Sequence, residues 1–187
     1  MQDPNHIYSS HIKEFQLQLK KLKKQLFASS MLRLVIFLLF AFLIYFYSST
    51  TSLVLLFVFL GIASFLILVS RHSDLQQEKE KLKQLIELNE TEIRVLNRDF
   101  HHLPNGEEFV NPQHEFSQDI DLFGSRSFFQ YLNRTALASG KQKLADLLSS
   151  NSIQYIQEKQ KSIQDLAEKV NFRQEFTAIA KMAKVKR

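Results

Sequence analysis

The sequence of 187 residues contains no cysteine and no tryptophan, and has only four glycines and three prolines. Without cysteine, neither a disulfide framework nor a thiolate metal site can form. A phosphate-binding P-loop needs the pattern Gly-x-x-x-x-Gly-Lys-Ser/Thr. The sole Gly-Lys pair is Gly140-Lys141, where Thr135 replaces the first glycine and Gln142 replaces the hydroxyl residue. We therefore expect no ATP binding by that route.

Residue patterns typical of catalysis are also missing. The sequence offers no nucleophile–base pair and no paired acids with an evident role. The nearest approach to a metal set is His101, His102 and His114 with Asp119 and Asp121, but none of these histidines has helical ligand spacing. We interpret them as solvated loop residues and predict no catalytic residue, no metal site and no cofactor, so the chain itself is not expected to be an enzyme.

Two long apolar runs, Met31–Tyr47 and Leu53–Val69, dominate what is present. Each has seventeen residues, and Arg33 is the only charge in either. At ~1.5 Å per residue such a run spans roughly 25 Å, and residues 26–30 extend the first towards the ~30 Å of a bilayer core. Two buried core helices are the alternative, but the remaining sequence has too little apolar surface to enclose them. The runs and their five-residue linker, Ser48–Ser52, predict a transmembrane helical hairpin in contact with the lipid bilayer.

Basic residues lie at one end of this hairpin. They are Lys20, Lys21, Lys23, Lys24, Arg33 and Arg71. By the positive-inside rule, both termini then lie in the cytoplasm and the linker lies outside. We predict a multi-pass protein of the inner (cytoplasmic) membrane.

The composition divides the chain into five predicted segments in an all-α fold. They are a basic amphipathic helix (1–30), the transmembrane hairpin (31–70), a charged helix or short coiled coil (71–100), a Pro/Gly connector (101–124) and a further group of helices (125–187). At most a short extended or hairpin segment is expected around 107–123. The first helix either lies on anionic lipid or extends the first span towards the cytoplasm.

The charged helix carries a heptad stripe of Leu75, Leu82, Asn89 and Leu96. This spacing predicts packing on a partner helix or self-association, including a homodimer. Asn89 either fixes the register of that packing or marks a short, imperfect seam.

The C-terminal region is predicted to form further helices. A serine after Gly124 is predicted to cap one helix. Residues 139–142 fit a capping box for a second helix that runs through Leu148, with Leu144, Leu147 and Leu148 facing inward. A long third helix is expected from about Ile153 to Met182. Its pattern reaches Arg187 without a stop signal, which predicts that the natural fold continues.

Two stretches resemble a known family. The first is "HEFSQDIDLFGSRSFFQYLNRTALASGKQKLADLL" (His114–Leu148), and the second is Ile156–Phe176. They resemble the start of the core, or lever, domain of the MutS DNA mismatch-repair family, above all its membrane-attached bacterial members. The family pattern is Asp-Leu-Asp-Leu/Ile-Phe-Gly, then Ser-Leu-Phe-x-x-Leu-Asn-Arg-Thr, then Gly-x-x-x-Leu-Ala-x-x-Leu. The matching residues are Asp119, Asp121, Leu122, Phe123, Gly124, Ser127, Phe129, Leu132, Asn133, Arg134, Thr135, Gly140, Leu144, Ala145 and Leu148.

Two departures accompany the resemblance. Glu115 stands where the family tends to carry proline, and Lys159-Gln160 replaces Arg-Gln. Neither change breaks a helix or a core position.

The resemblance implies the membrane-anchoring and core-domain part of a MutS-like, DNA-binding ATPase. The ATP and magnesium sites of that family would lie in a domain that this sequence lacks. The implied partner is that core and ATPase part, or another chain, and the matching residues would be structural, with Asn133 and Arg134 bracing a helical junction. DNA binding by this chain should be weak if it occurs. The alternative is a complete, small membrane-anchored scaffold that binds partner proteins.

The charge distribution makes the topology testable. We expect a reporter enzyme fused after Arg187 to be active only on the cytoplasmic side, because the basic residues flank the cytoplasmic ends of both spans. Paired alkaline phosphatase and β-galactosidase fusions measure this. Phosphatase activity from the fusion after Arg187 would contradict the predicted orientation.

Overall fold

The computed structural model describes residues 3–150 and 152–185, which form six α-helices and one short 3-10 helix. These residues contain no strand, and the predicted all-α fold is confirmed. The helices are α1 (Pro4–Phe46), α2 (Thr51–Leu96), α3 (Phe128–Leu132), α4 (Ala138–Ser149), α5 (Ile156–Ala167) and α6 (Val170–Val185), with the 3-10 helix at Glu107–Phe109.

The chain divides into two compact units. Residues 13–83 form the first, called here the hairpin unit, and residues 1–12 with 84–187 form the second, the helical unit. Neither α1 nor α2 is interrupted at residue 30 or residue 70, where two of the predicted segment boundaries lie. No proline follows Pro4 within either helix, so the helical hydrogen bonding continues through the change in composition.

Each long helix contains an apolar window long enough to cross a membrane. The windows have mean hydropathies of 2.4 in α1 and 2.9 in α2, and none of either window is buried inside the protein. A pair of buried core helices would show the opposite. The two apolar helices are therefore compatible with a membrane protein, and they contain the predicted spans Met31–Tyr47, except for Tyr47 itself, and Leu53–Val69.

Inside the hairpin unit the two helices touch through aromatic side chains. The rings of Tyr47 and Phe57 are 5.6 Å apart at the linker end, and Phe40 lies against Gly61, where an added Cβ atom would be 3.2 Å from the ring. Leu22 and Leu26 are buried. Helix α1 is unbroken from Pro4 to Phe46, so residues 4–30 continue the first apolar helix.

Helix α2 ends in a left-handed turn. Arg98 has φ +63, Asp99 N–H donates to the carbonyl of Arg94 at 2.9 Å, and Arg98 N–H donates to that of Val95 at 2.9 Å. This is the Schellman arrangement, here without glycine. The predicted heptad stripe is only partly covered, because Leu82 and Asn89 are buried whereas Leu96 is 47% exposed.

The connector wraps around α3. Phe129 is fully buried, and its ring lies 5.6 Å from that of Phe109 and 5.3 Å from that of Phe123. Gln130 donates to the carbonyls of His101 and Leu103 at 3.1 and 2.7 Å. The extended segment considered for this region does not form, because these contacts hold the connector as turns and the 3-10 helix.

Serine caps α3 as predicted, but the capping box predicted for α4 is wrong. Ser127 accepts from the Gln130 N–H at 3.1 Å, whereas the N-cap of α4 is Leu137, which has no side-chain cap. Leu147 is 45% exposed, and Ala145 is the buried residue of α4. Leu144 and Leu148 are half-buried, so the predicted inward face is wrong only at Leu147.

The predicted helix from Ile153 to Met182 is broken into α5 and α6 at residues 168 and 169. Arg173 donates from Nη2 to the carbonyl of Ala167 at 3.2 Å and so satisfies one acceptor that the break leaves free. Helix α6 buries Gln174, Ala178 and Ala180, whereas every residue of α5 is exposed. The packing of α6 therefore sets its direction independently of α5.

Two glycines with positive φ offer a test of the connector packing. A Cβ atom at Gly106 (φ +71) would lie 2.6 Å from the Phe129 ring, but one at Gly124 (φ +103) would meet nothing within 4 Å. We expect Gly106→Ala to lower the free energy of unfolding of the helical unit by about 2–4 kcal/mol, from strain plus overpacking. Gly124→Ala should cost about 1–2 kcal/mol from strain alone.

Hydrogen exchange of peptides from residues 101–133, in the full chain in micelles, measures both variants. Equal losses would contradict the packing of Phe129 against Gly106.

Candidate functional site

The junction between α3 and α4 is held by Asn133. Its backbone N–H donates to the carbonyl of Phe129 at 2.8 Å and closes α3. Its side-chain Oδ1 accepts from Thr135 twice, from the backbone N–H at 3.0 Å and from Oγ1 at 2.7 Å. Asn133 is only 3% exposed. The turn between the two helices is thus fixed by one buried amide.

Arg134 ties this junction to α2. Its Nε lies 2.7 Å from Oε1 of Glu92, and its Nη1 donates to the carbonyls of Tyr131 and Asn133 at 2.8 and 3.1 Å. The side chains of Arg134 and Glu92 are 32% and 26% exposed. Partial burial and three acceptors on one guanidinium make this contact more ordered than a surface ion pair, which contributes about 0–1 kcal/mol.

Tyr8, near the start of α1, belongs to the same cluster. Burial raises the pKa of its hydroxyl, and the negative charge of Glu92 acts in the same direction. The charges of Arg173 and Arg134, and a hydrogen bond from Arg173, lower the pKa by less. Tyr8 therefore stays a neutral hydroxyl at physiological pH, able both to donate and to accept.

A buried amide pair holds α6 on α2. Gln174 Nε2 donates to Oδ1 of Asn89 at 2.8 Å, and Asn89 Nδ2 donates to Oε1 of Gln174 at 3.2 Å and to the carbonyl of Leu85 at 2.7 Å. His11 Nδ1 lies 3.3 Å from the same Oε1 and is the donor, since an amide oxygen accepts. Asn89 is fully buried. It therefore fixes the register of helix packing and does not mark an imperfect seam.

Between these contacts lies a groove of about 590 Å³. The polar cluster of Tyr8, Glu92, Arg134 and Arg173 forms part of its lining. Its other lining residues are Leu88, Thr135, Ala136, Leu137, Ser139, Gly140, Leu166, Val170, Phe172, Gln174, Phe176 and Thr177. Phe172 and Phe176 are 58% and 59% exposed. The arrangement offers an apolar surface with two guanidinium groups at its edge, which suits binding.

The structure divides the residues that carry the predicted resemblance into two groups. Arg134, Thr135 and Gly140 line the groove. The others shape the connector and α3; they are Asp119, Asp121, Phe123, Gly124, Phe129, Leu132 and Asn133. Among them, Asp119 is exposed and Leu132 is 39% exposed. Asp121 has φ +47, and its backbone carbonyl accepts from the Phe128 N–H at 3.1 Å. The Gly124 N–H donates to the carbonyl of Asn105 at 2.9 Å.

His101, His102 and His114, the histidines considered for a metal site, do not belong to a group of metal-binding side chains among the described residues. Across residues 3–150 and 152–185, no group of three or more His, Asp or Glu side chains is arranged to hold a metal ion. His114 instead donates from Nε2 to the carbonyl of Ser149 at 3.0 Å. This contact joins the connector to the end of α4.

No protein-family model, curated protein or solved structure matches this chain. The resemblance to MutS-like proteins therefore rests on the residue pattern in His114–Leu148 and Ile156–Phe176 alone.

Sequence reasoning missed four residues of the site: Tyr8, Glu92, Arg173 and Gln174. Tyr8 and Glu92 lie 84 positions apart, and only the fold brings them together. One signal was available, because Asn89 interrupts a leucine stripe and a buried amide needs a hydrogen-bonding partner. It pointed to a polar residue on another helix without identifying Gln174.

The amide pair predicts strong coupling between two substitutions. Asn89→Leu and Gln174→Leu should each cost about 1–3 kcal/mol, because each leaves a buried amide without its partner. The double variant should lose less than the sum, with a coupling energy of about 1–3 kcal/mol. Hydrogen exchange of α2 and α6 peptides measures all four states of the cycle. Additive losses would show that the pair is not a unit.

Proposed function

We propose that this chain is the membrane-anchored, non-catalytic N-terminal part of a MutS-like, DNA-processing ATPase. The helices from α3 onward are the start of its core domain, and the nucleotide site belongs to the remainder of the assembly. Three observations support the proposal: two apolar helices of membrane-crossing length, the family-like residue pattern, and an open groove between helices.

The groove carries the proposal. Phe172, Phe176 and Leu166 expose 58%, 59% and 43% of their surface beside the Arg134–Glu92 pair. Contiguous exposed apolar surface rimmed by polar groups is typical of an interaction site. The first helices of a core domain would bury such a surface against its later helices. The proposed occupant is the core and ATPase part of the same machine.

The distribution of charge supports anchoring in the inner membrane with both termini cytoplasmic. Residues 13–83 hold ten Lys and Arg against four Asp and Glu, and the rest of the chain holds fourteen against fifteen. The positive excess thus lies entirely in the part that contains the apolar helices. All of it precedes the first apolar run, opens it or follows the second, and none lies in the linker.

A second candidate is a membrane-anchored scaffold for unrelated partner proteins. It is favoured by α5, in which every residue is exposed, including Ile156 and Ile163 at 48% and 67%. A helix of this kind can present its apolar stripe to a partner helix. The same surface would serve a homodimer.

Phe176 separates the two candidates. We expect the chain to co-purify with the separately expressed core and ATPase part of a membrane-attached MutS-like protein, and Phe176→Asp to weaken this binding at least tenfold by placing a charge in an apolar contact. Phe128→Asp is the matched control, because Phe128 is 48% exposed on α3 and does not line the groove.

Titration of the two purified parts in micelles measures both variants, with circular dichroism to check folding. If the wild-type chain does not bind the ATPase part, the first proposal fails. If it binds but both variants lose affinity equally, the groove is not the contact.

A further inference from the structure

A face of exposed lysines lies on α1 immediately before the first apolar run. Lys20, Lys21, Lys23 and Lys24 are all exposed. Within residues 3–150 and 152–185, none of the four forms an ion pair. They are therefore four hydrated positive charges within five positions of one helix.

The geometry of α1 sets the direction of this face. At 100° per residue, the four lysines fall within an arc of about 160°, and the buried Leu22 and Leu26 lie on the other side of the helix. The lysine face therefore points away from the protein. The acids of the hairpin unit are Glu14, Asp74, Glu78 and Glu80. Glu14 lies six positions before Lys20 on α1, and the other three lie on α2.

The distance to the membrane boundary follows from the continuity of α1. The helix runs without a break from Pro4 to Phe46, so the separation along its axis is ~1.5 Å per residue. From a span that begins near Leu26, Lys24 is about 3 Å away and Lys20 about 9 Å. All four charges then lie within the headgroup layer and one Debye length of the lipid phosphates.

We propose that Lys20, Lys21, Lys23 and Lys24 form a binding surface for anionic phospholipid headgroups, called here the lysine collar. This inference rests on the proposed membrane anchoring and adds a lipid specificity to it. The partner is a lipid rather than a nucleic acid, because the collar is continuous with the apolar run and lies at headgroup depth. An extended duplex would have to approach that same layer of negative charge.

Matched charge removal tests the lysine collar. One variant replaces its four lysines with glutamine. The control replaces Lys13, Lys79, Lys81 and Lys83, which belong to the same unit and carry the same total charge. They lie at least ten positions from the span ends near Leu26 and Val69, whereas the collar lysines lie within six positions of Leu26. Each purified full chain is placed in nanodiscs of phosphatidylcholine with a minor share of phosphatidylglycerol, and the lipid retained with the protein is identified by mass spectrometry.

We expect the wild type and the control to retain phosphatidylglycerol in preference to phosphatidylcholine. In the collar variant this preference should fall about tenfold or more, because each lysine near the surface adds to the attraction for anionic lipid. High salt should reduce the preference. Equal loss in both variants, or no preference in the wild type, overturns the lysine collar while leaving the anchoring intact. A chain that never enters the nanodisc overturns both proposals. The same variants are titrated with duplex DNA, and a loss of DNA binding without a loss of lipid preference would reassign the surface.

Discussion

The helical unit depends on one buried amide pair, Asn89 with Gln174. Its two hydrogen bonds fix where α6 sits along α2, since a shift by one residue would leave two buried amides unsatisfied. That register places Arg173, the neighbour of Gln174, beside Tyr8, and places Phe176 at the rim of the groove. The geometry of the candidate site is thus a consequence of this contact.

The connector is organised by a second constraint, the packing of the Phe129 and Phe123 rings against Gly106. Phe129 is buried among Phe109 and Phe123, and the missing Cβ of Gly106 leaves room for its ring. The residues that resemble the MutS pattern therefore hold a loop against a short helix. The physical role that the structure shows for this stretch is packing.

The sequence predicted local features well and long-range ones poorly. The all-α fold, the two apolar helices and the serine cap of α3 follow from periodicity and single residues, and these predictions are confirmed. The break at residues 168 and 169 was missed because the helical pattern continues across it and only the packing of α6 enforces it. The Glu92–Arg134 pair and the place of Tyr8 depend on tertiary contacts that no spacing reveals.

Helix α5 has twelve residues, all exposed, and its neighbour in the fold is α6. An isolated helix of that length is close to the coil state in water, because nucleation is unfavourable. Its order therefore adds little to the stability of the chain and is easily gained or lost. A partner that binds its apolar stripe must spend part of the interaction energy on ordering it, so the complex forms with modest affinity and is readily reversed. The most exposed helix is thus also the one best suited to report, through its own folding, whether a partner is present.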